Sequence, residues 1–345
     1  MSDPHAELWR DPEWEAERDA VVGEILAEIG PDPGALARDQ TARALQWLAD
    51  VRAGKGMRWF LPTLHGLTGR LLPGWTCFLG GYSKTAKTTL LMHQALYLAR
   101  HGVRVGYVGT ETASEILKLQ AAALLLGWPV EDVVTGARHW RYQGDEYEQP
   151  MTPAELAEVE RALGEVERLG DCLMFADTDG ATLGDARYWM RWAAKHGAAV
   201  AIVDHIHQLD TGTADRYTAL EAAVRTLGQD VKSANIVGLI AAQFRESTHD
   251  VLANHEVPGD GQWFGTKAFN QVGAVNLQLW RPFKAGLTDE ARRAVKSGEA
   301  DLSTVLRPGT IGVRCSAHRI RGGRAIGDLR MLRIEGDTIT DQEAR

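Results

Sequence analysis

The stretch Gly81-Tyr82-Ser83-Lys84-Thr85-Ala86-Lys87-Thr88-Thr89 constrains this chain more than any other. The apolar run Trp75-Thr76-Cys77-Phe78-Leu79 before it reads as a short buried strand, and Leu90 to Arg100 after it as a helix stopped by Gly102. Strand, tight loop and helix form the context of a phosphate-binding loop, in which successive backbone N–H groups and a helix N-terminus wrap an anion. Gly81, Ser83, Lys84, Thr85, Ala86, Lys87, Thr88 and Thr89 are therefore the candidate nucleotide-binding residues. Lys87 would neutralise the terminal phosphates of ATP, and the Thr88 hydroxyl would hold Mg²⁺. Ala86 stands where a glycine usually precedes the lysine, and glycine is preferred where φ is positive or where backbone approaches a ligand closely. The bland alternative is an ordinary Gly/Ser/Thr turn ahead of a helix.

A chain of 345 residues with 44% hydrophobic content can build either two domains or one large α/β core with an extension. No apolar run reaches membrane-spanning length, and Met1-Ser2-Asp3-Pro4-His5 lacks the basic and apolar regions of a signal peptide. Cys77, Cys172 and Cys315 are isolated and read as free thiols in a reducing cytoplasm. A cytoplasmic protein without a membrane partner is expected. The net charge of −8 gives no overall basic field, so any contact with nucleic acid must come from local loops.

Residues 1 to 56 read as a helical N-terminal extension. Trp14 to Ile29 is amphipathic, Gly30-Pro31-Asp32-Pro33-Gly34 breaks it, and Ala35 to Val51 is a second helical pattern. It carries no catalytic constellation and serves either as a cap on the core or as an arm docking on a neighbouring subunit. The main domain, 57 to 345, alternates strands with helices. Val103 to Gly109 reads as a strand ending at Thr110-Glu111-Thr112, with a helix from Ser114 to Leu126. An acid at a strand's carboxyl end, one crossover after a phosphate loop, faces the nucleotide crevice, where a base for an attacking water would sit. A helix N-terminal acid is the other reading of Glu111.

Residues 134–150 read as polar and irregular, and Thr152-Pro153-Ala154-Glu155 as a capping box opening a helix to about Leu169. Cys172 to Ala176 reads as a strand and Leu183 to His196 as a helix whose Trp189 and Trp192 pack in a core or interface. Ala198 to Asp204 is an apolar run ending in an acid, which suits Asp204 to holding a metal-bound water. His205 and His207 follow, but zinc needs three or four ligands. A helix from Arg216 to Ser233 precedes a strand, Ile236 to Ala242, ending at Gln243, a candidate γ-phosphate sensor. The long polar loop from Glu246 to Gly261 leads to Gln262-Trp263-Phe264-Gly265-Thr266-Lys267. Val272 to Leu279 reads as a strand, 284–308 as an insertion with a helix at Asp289 to Ser297, and Arg330 to Ile334 as the final strand.

With those residues in view, about 58–335 resembles the RecA-like ATPase domain of DnaB-type hexameric replicative helicases. Leu67-Thr68-Gly69-Arg70-Leu71-Leu72-Pro73-Gly74 resembles that family's lead-in to its P-loop, and Lys84 is similar to a lysine of compact plasmid helicases of the RepA type. Thr110-Glu111-Thr112 falls where the family has Ser-Leu-Glu-Met, Val203-Asp204-His205-Ile206-His207-Gln208-Leu209 resembles Ile-Asp-Tyr-Leu-Gln-Leu, and Ala242-Gln243-Phe244-Arg245 resembles Ser-Gln-Leu-Asn. Arg319-Ile320-Arg321-Gly322-Gly323 falls where the family has Lys-x-Arg-Asn-Gly.

The resemblance implies an α/β, RecA-like P-loop NTPase core with a mainly parallel central sheet and a short helical extension in place of the family's primase-binding domain. It implies Glu111, Lys87, Gln243, Arg319 and Arg321 as catalytic residues, the two arginines acting in trans, with Thr88 and Asp204 at the metal. Arg245, Trp263, Phe264 and Lys267 would touch single-stranded DNA in the channel of a homo-oligomeric ring, a hexamer, serving a replication or mobile-element partner. The alternative is a RecA- or KaiC-like regulatory or scaffold ATPase without unwinding activity.

Overall fold

The computed structural model describes residues 33–53, 55–142, 145–176, 182–210, 215–259, 261–263, 267–284, 286–319 and 326–342. The chain divides into two compact units, Met1–Lys55 and Gly56–Arg345. In the first, Pro33 opens helix α1 (Pro33–Arg52), where its missing N–H costs no hydrogen bond. The reading of 14–29 lies outside the described residues.

The second unit is a sheet covered on both faces. In chain order its elements are α2 (Pro62–Thr68), β1 (Thr76–Gly81), α3 (Lys87–Arg100), β2 (Val105–Gly109), α4 (Ser114–Leu126), α5 (Val130–Thr135), β3 (Ala137–Tyr142), β4 (Asp145–Pro150), α6 (Pro153–Arg168), β5 (Leu173–Phe175) and α7 (Leu183–Lys195). Then come β6 (Val200–Asp204), α8 (Arg216–Ala234), β7 (Val237–Gln243), α9 (Ala268–Val272), β8 (Val275–Trp280), α10 (Asp289–Ser297), α11 (Leu302–Val305), β9 (Thr310–His318), β10 (Leu329–Glu335) and β11 (Thr338–Asp341). Among the described residues nine strands form one sheet in the order β11-β10-β9-β8-β1-β7-β6-β2-β5. The run from β8 to β5 is parallel, and β9, β10 and β11 extend the other side antiparallel.

The apolar strand runs are continuous because both faces of the sheet are covered. Alternation along each strand sends Leu79, Tyr107, Ile202 and Leu239 to one core layer and Phe78, Val108, Val203 and Ile240 to the other. The first layer packs on α3 and α4, through Leu91 and Leu117. The second packs on α7 and α8, through Met190 and Val224. Gly106 is the close approach on that side, where a Cβ would come within 2.6 Å of the Ala193 methyl.

Three sequence readings change. Residues 134–150 are not irregular: β3 and β4 form an antiparallel hairpin with Trp140 stacked on Tyr147 at 5.8 Å. Its partners are polar and exposed, so no apolar alternation marked the strands. Val272 ends the short helix α9, and the strand begins only at Val275. A strand, β11, follows the one read as final. The Thr152–Glu155 capping box is present, and a second, Thr182 with Asp185, opens α7. No helix among the described residues is long and apolar enough to cross a membrane.

Candidate nucleotide site

Parallel pairing gathers the motifs. Gly81 at the end of β1 lies opposite Gln243 at the end of β7, and Asp204 at the end of β6 lies opposite Gly109 at the end of β2. Four carboxyl ends therefore open onto one crevice, the position where α/β sheets bind ligands.

The loop between β1 and α3 is tightly wound. Lys84 and Ala86 both adopt left-handed backbone, with φ 58 and 60. The conformation anticipated at Ala86 is thus real and is held by a residue with a Cβ, at a cost of about 1–2 kcal/mol for each such residue. The Thr85 hydroxyl donates to Tyr82 O at 2.7 Å. Gly81 has no room for a side chain, since a Cβ would lie 2.5 Å from Thr85 Oγ1. The buried Lys87 ammonium donates to the carbonyls of Gly81 at 3.0 Å and Tyr82 at 2.8 Å. Burial pulls its pKa down to about 8, against the fields of Asp204, Glu246 and Glu111.

Asp204 is buried, and burial pushes its carboxyl up from the usual range. Hydrogen bonds from the hydroxyls of Thr88 and Tyr107 oppose that shift, the latter at 2.9 Å to Oδ2. Glu111 sits just beyond β2, its side chain 51% exposed, 3.5 Å from His205 Nε2 and hydrogen-bonded by Gln208 Nε2. The Thr110 hydroxyl ties the two strand ends by donating to His205 O and accepting from His205 N, each at 2.9 Å. Gln243 donates its side-chain N–H to Ser83 Oγ at 2.8 Å and its backbone N–H to His207 Nδ1 at 3.1 Å.

These residues fit a Mg²⁺–nucleoside triphosphate. The Ser83 N–H already donates to an anion, the Glu246 carboxylate, at 2.9 Å. The Thr88 hydroxyl and the Asp204 carboxylate adjoin one another, a hard oxygen pair of the kind Mg²⁺ selects.

The proposed DNA-contacting residues divide. Trp263 is only 6% exposed, stacks on Phe269 at 4.9 Å and meets Phe244 edge-on at 5.2 Å. It is a core residue rather than a base-stacking one, because the side chain missing at Gly80 leaves the space its ring fills. Lys267 and Arg245 are exposed, whereas Phe264 lies outside the described residues. Arg319 donates to the carbonyls of Gln271 and Val272, both at 3.3 Å, at the end of α9, and Arg321 lies outside the described residues. Sequence reasoning passed over Tyr107, Gln208 and Glu246. Only Gln208 carried a signal, its place just after the acid-ended strand.

No family model matches the sequence, and neither does any curated protein. Solved structures do match. A DnaB-like helicase ATPase domain, solved by itself, aligns over 90% of this chain and 100% of its own, with TM-score 0.67 and 12% identity. A DnaB-like replicative helicase, described with its interactions with primase, aligns over 96% of this chain and 77% of its own, with TM-score 0.64 and 13% identity. The KaiC-like protein PH0186 from Pyrococcus horikoshii aligns over 84% and 99%, with TM-score 0.52 and 13% identity. At these identities the likeness is one of fold. That fold is the RecA-like P-loop ATPase fold, found in DnaB-like helicase ATPase domains and in KaiC-like proteins alike.

Proposed function

We propose that this chain is a Mg²⁺-dependent ATPase of the DnaB-like helicase type, working as a homo-oligomeric ring on single-stranded DNA. The observation that carries the reading is the meeting of Lys87, Thr88, Asp204 and Glu111 at adjoining strand ends of one sheet. The loop N–H groups and Lys87 bind the phosphates, with Ser83, Lys84, Thr85, Ala86 and Thr89 shaping the cradle. Thr88 and Asp204 hold the metal, which when bound neutralises charge between phosphates. Glu111 orients and deprotonates the attacking water, and Gln243, already on Ser83, senses the terminal phosphate. Arg321 reaches the site of the adjacent subunit, while residues 1–56 form an extension to the 57–345 ATPase domain. Lys267 and Arg245, with Phe264, neutralise and stack on the strand.

A second reading is a regulatory ATPase indifferent to DNA. The burial of Trp263 and the net charge of −8 favour it. ATP turnover measured with and without single-stranded DNA separates the two. Stimulation supports the ring on DNA, an indifferent rate supports the regulator, and absence of turnover overturns both. Glu111→Gln is expected to bind ATP and barely hydrolyse it.

A further inference from the structure

We propose that Tyr107 is the positioning residue of the metal site, holding the Asp204 carboxylate in one orientation through its phenolic hydroxyl. The inference rests on the Mg²⁺-dependent reading above and names a residue that the helicase resemblance does not supply.

The placement follows from strand geometry. Gly109 pairs with Asp204 across β2 and β6, and Tyr107 lies two residues earlier on the same face. Gly109 brings no side chain to that face, and a Cβ there would lie 2.8 Å from Leu117 Cδ1 and 2.9 Å from Thr112 O. The Tyr107 ring is fully buried, tilted against Phe175 at 5.8 Å. From that core position its hydroxyl donates to Asp204 Oδ2 at 2.9 Å. A phenol so deep needs an acceptor, and the carboxylate is the one it reaches. The contact joins residues 97 apart in sequence, so it is made by the sheet and not by a local turn.

The consequence is a division of labour on one carboxylate. Tyr107 takes Oδ2 from the core side, and the Thr88 hydroxyl donates to the same group from the start of α3. A carboxylate at a strand end is otherwise free to turn about its last torsion. Outer partners of this kind fix ligand orientation, and their loss typically costs 10–100-fold in metal affinity or activity.

The test is Tyr107→Phe, which removes one oxygen and keeps the buried ring. Binding of a fluorescent ATP analogue in EDTA should stay within about 2-fold of wild type, because the phosphate loop is untouched. Mn²⁺ binding to the nucleotide-loaded protein, followed by electron paramagnetic resonance, should weaken about 10-fold or more. The Mg²⁺ concentration for half-maximal turnover should rise in step, with most of kcat recovered at saturating Mg²⁺.

Asp204→Asn is measured in parallel. If wild type shows no Mn²⁺ site that Asp204→Asn removes, the metal-dependent reading itself fails. If that site exists and Tyr107→Phe binds Mn²⁺ as wild type does, the positioning role is overturned. A second measurement needs no variant at 107. Tyrosine labelled with ¹³C at Cζ and placed at 107 should shift its resonance when Mg²⁺ is added to the nucleotide-bound protein. An unmoved resonance also overturns the role.

Discussion

Ser83 donates its backbone N–H to the Glu246 carboxylate at 2.9 Å, across 163 residues of sequence. The donor is one of the groups the loop offers a phosphate, so an internal anion stands where a nucleotide anion belongs. Glu246 begins the long polar segment whose ends are joined by the Phe244–Trp263 bridge and by Arg245 N donating to Gln262 O. The segment is also tied to α10 through the Glu256–Arg292 and Asp250–Lys296 pairs.

Nucleotide must therefore displace Glu246. Glu246→Gln keeps the shape and removes the competing charge, and it should tighten ATP binding about 3- to 10-fold, or ~1 kcal/mol. Equilibrium titration with a fluorescent nucleotide checks this. Unchanged or weaker binding would show that the carboxylate does not compete.

Ala86→Gly relieves a left-handed residue in the phosphate loop. The relief of about 1–2 kcal/mol is partly offset by the roughly 0.5–1 kcal/mol of chain entropy that glycine adds to the unfolded state. Stability should rise by about 0.5 kcal/mol on balance, with nucleotide binding retained. Denaturant unfolding and nucleotide titration together decide it, and total loss of binding would show that this is no phosphate loop.

Trp263 and Lys267 should separate a core role from a DNA role. Trp263→Ala removes a ring packed on Phe269 and Phe244 and should cost about 3–5 kcal/mol of stability. Lys267→Ala should leave stability alone, weaken single-stranded DNA binding and lower the salt slope by about one. An unchanged slope would remove Lys267 from the contact.

Much of this was legible in the sequence, and the physical reasons differ by element. The loop at Gly81 to Thr89 and the acid-ended run at Asp204 were readable because phosphate and metal chemistry demand fixed residue types at strand ends. Helices Ser114–Leu126 and Asp289–Ser297 matched their patterns end to end, the first closed by Gly127 and the second by Gly298. The β3–β4 hairpin was not legible, because its pairing is polar and exposed and leaves no alternation. Trp263 was misread since an aromatic beside loop residues looks exposed until the space at Gly80 is known. Tyr107 and Glu246 were invisible for a different reason: each acts on a partner about a hundred or more residues away, which only the sheet brings near.

The N-cap of α6 gives a pH dependence. Glu155 is held down to about 2, first by the Thr152 backbone N–H, then by the Arg138 guanidinium and the Thr152 hydroxyl. Its unfolded value is about 4.3, so the folded carboxyl is depressed and its contribution is fully present above that pH. The contribution fades as pH falls from there toward about 2. The melting-temperature gap between wild type and Glu155→Gln should be constant near neutrality and close as pH drops through that window. A gap independent of pH would show that the carboxylate charge adds nothing at the cap.

The two downstream arginines should behave differently. Arg319 turns its guanidinium onto the carbonyls of Gln271 and Val272, where a cation complements the end of a short helix of its own chain. Arg319→Ala should therefore lower stability and leave a measurable turnover. Arg321 is the one left for the adjacent subunit's nucleotide, where a guanidinium stabilises transition-state charge and contributes roughly 10³–10⁵ in rate. Arg321→Ala should bind ATP and lose turnover. Mixing it with Lys87→Ala, itself inactive for want of its phosphate-loop cation, should restore part of the activity. The restored rate should follow the fraction of interfaces at which an intact loop meets an intact arginine. Sedimentation and turnover measured over the same concentration range complete the test. A wild-type protein that is monomeric and fully active at every concentration would place the arginine in its own site or in none.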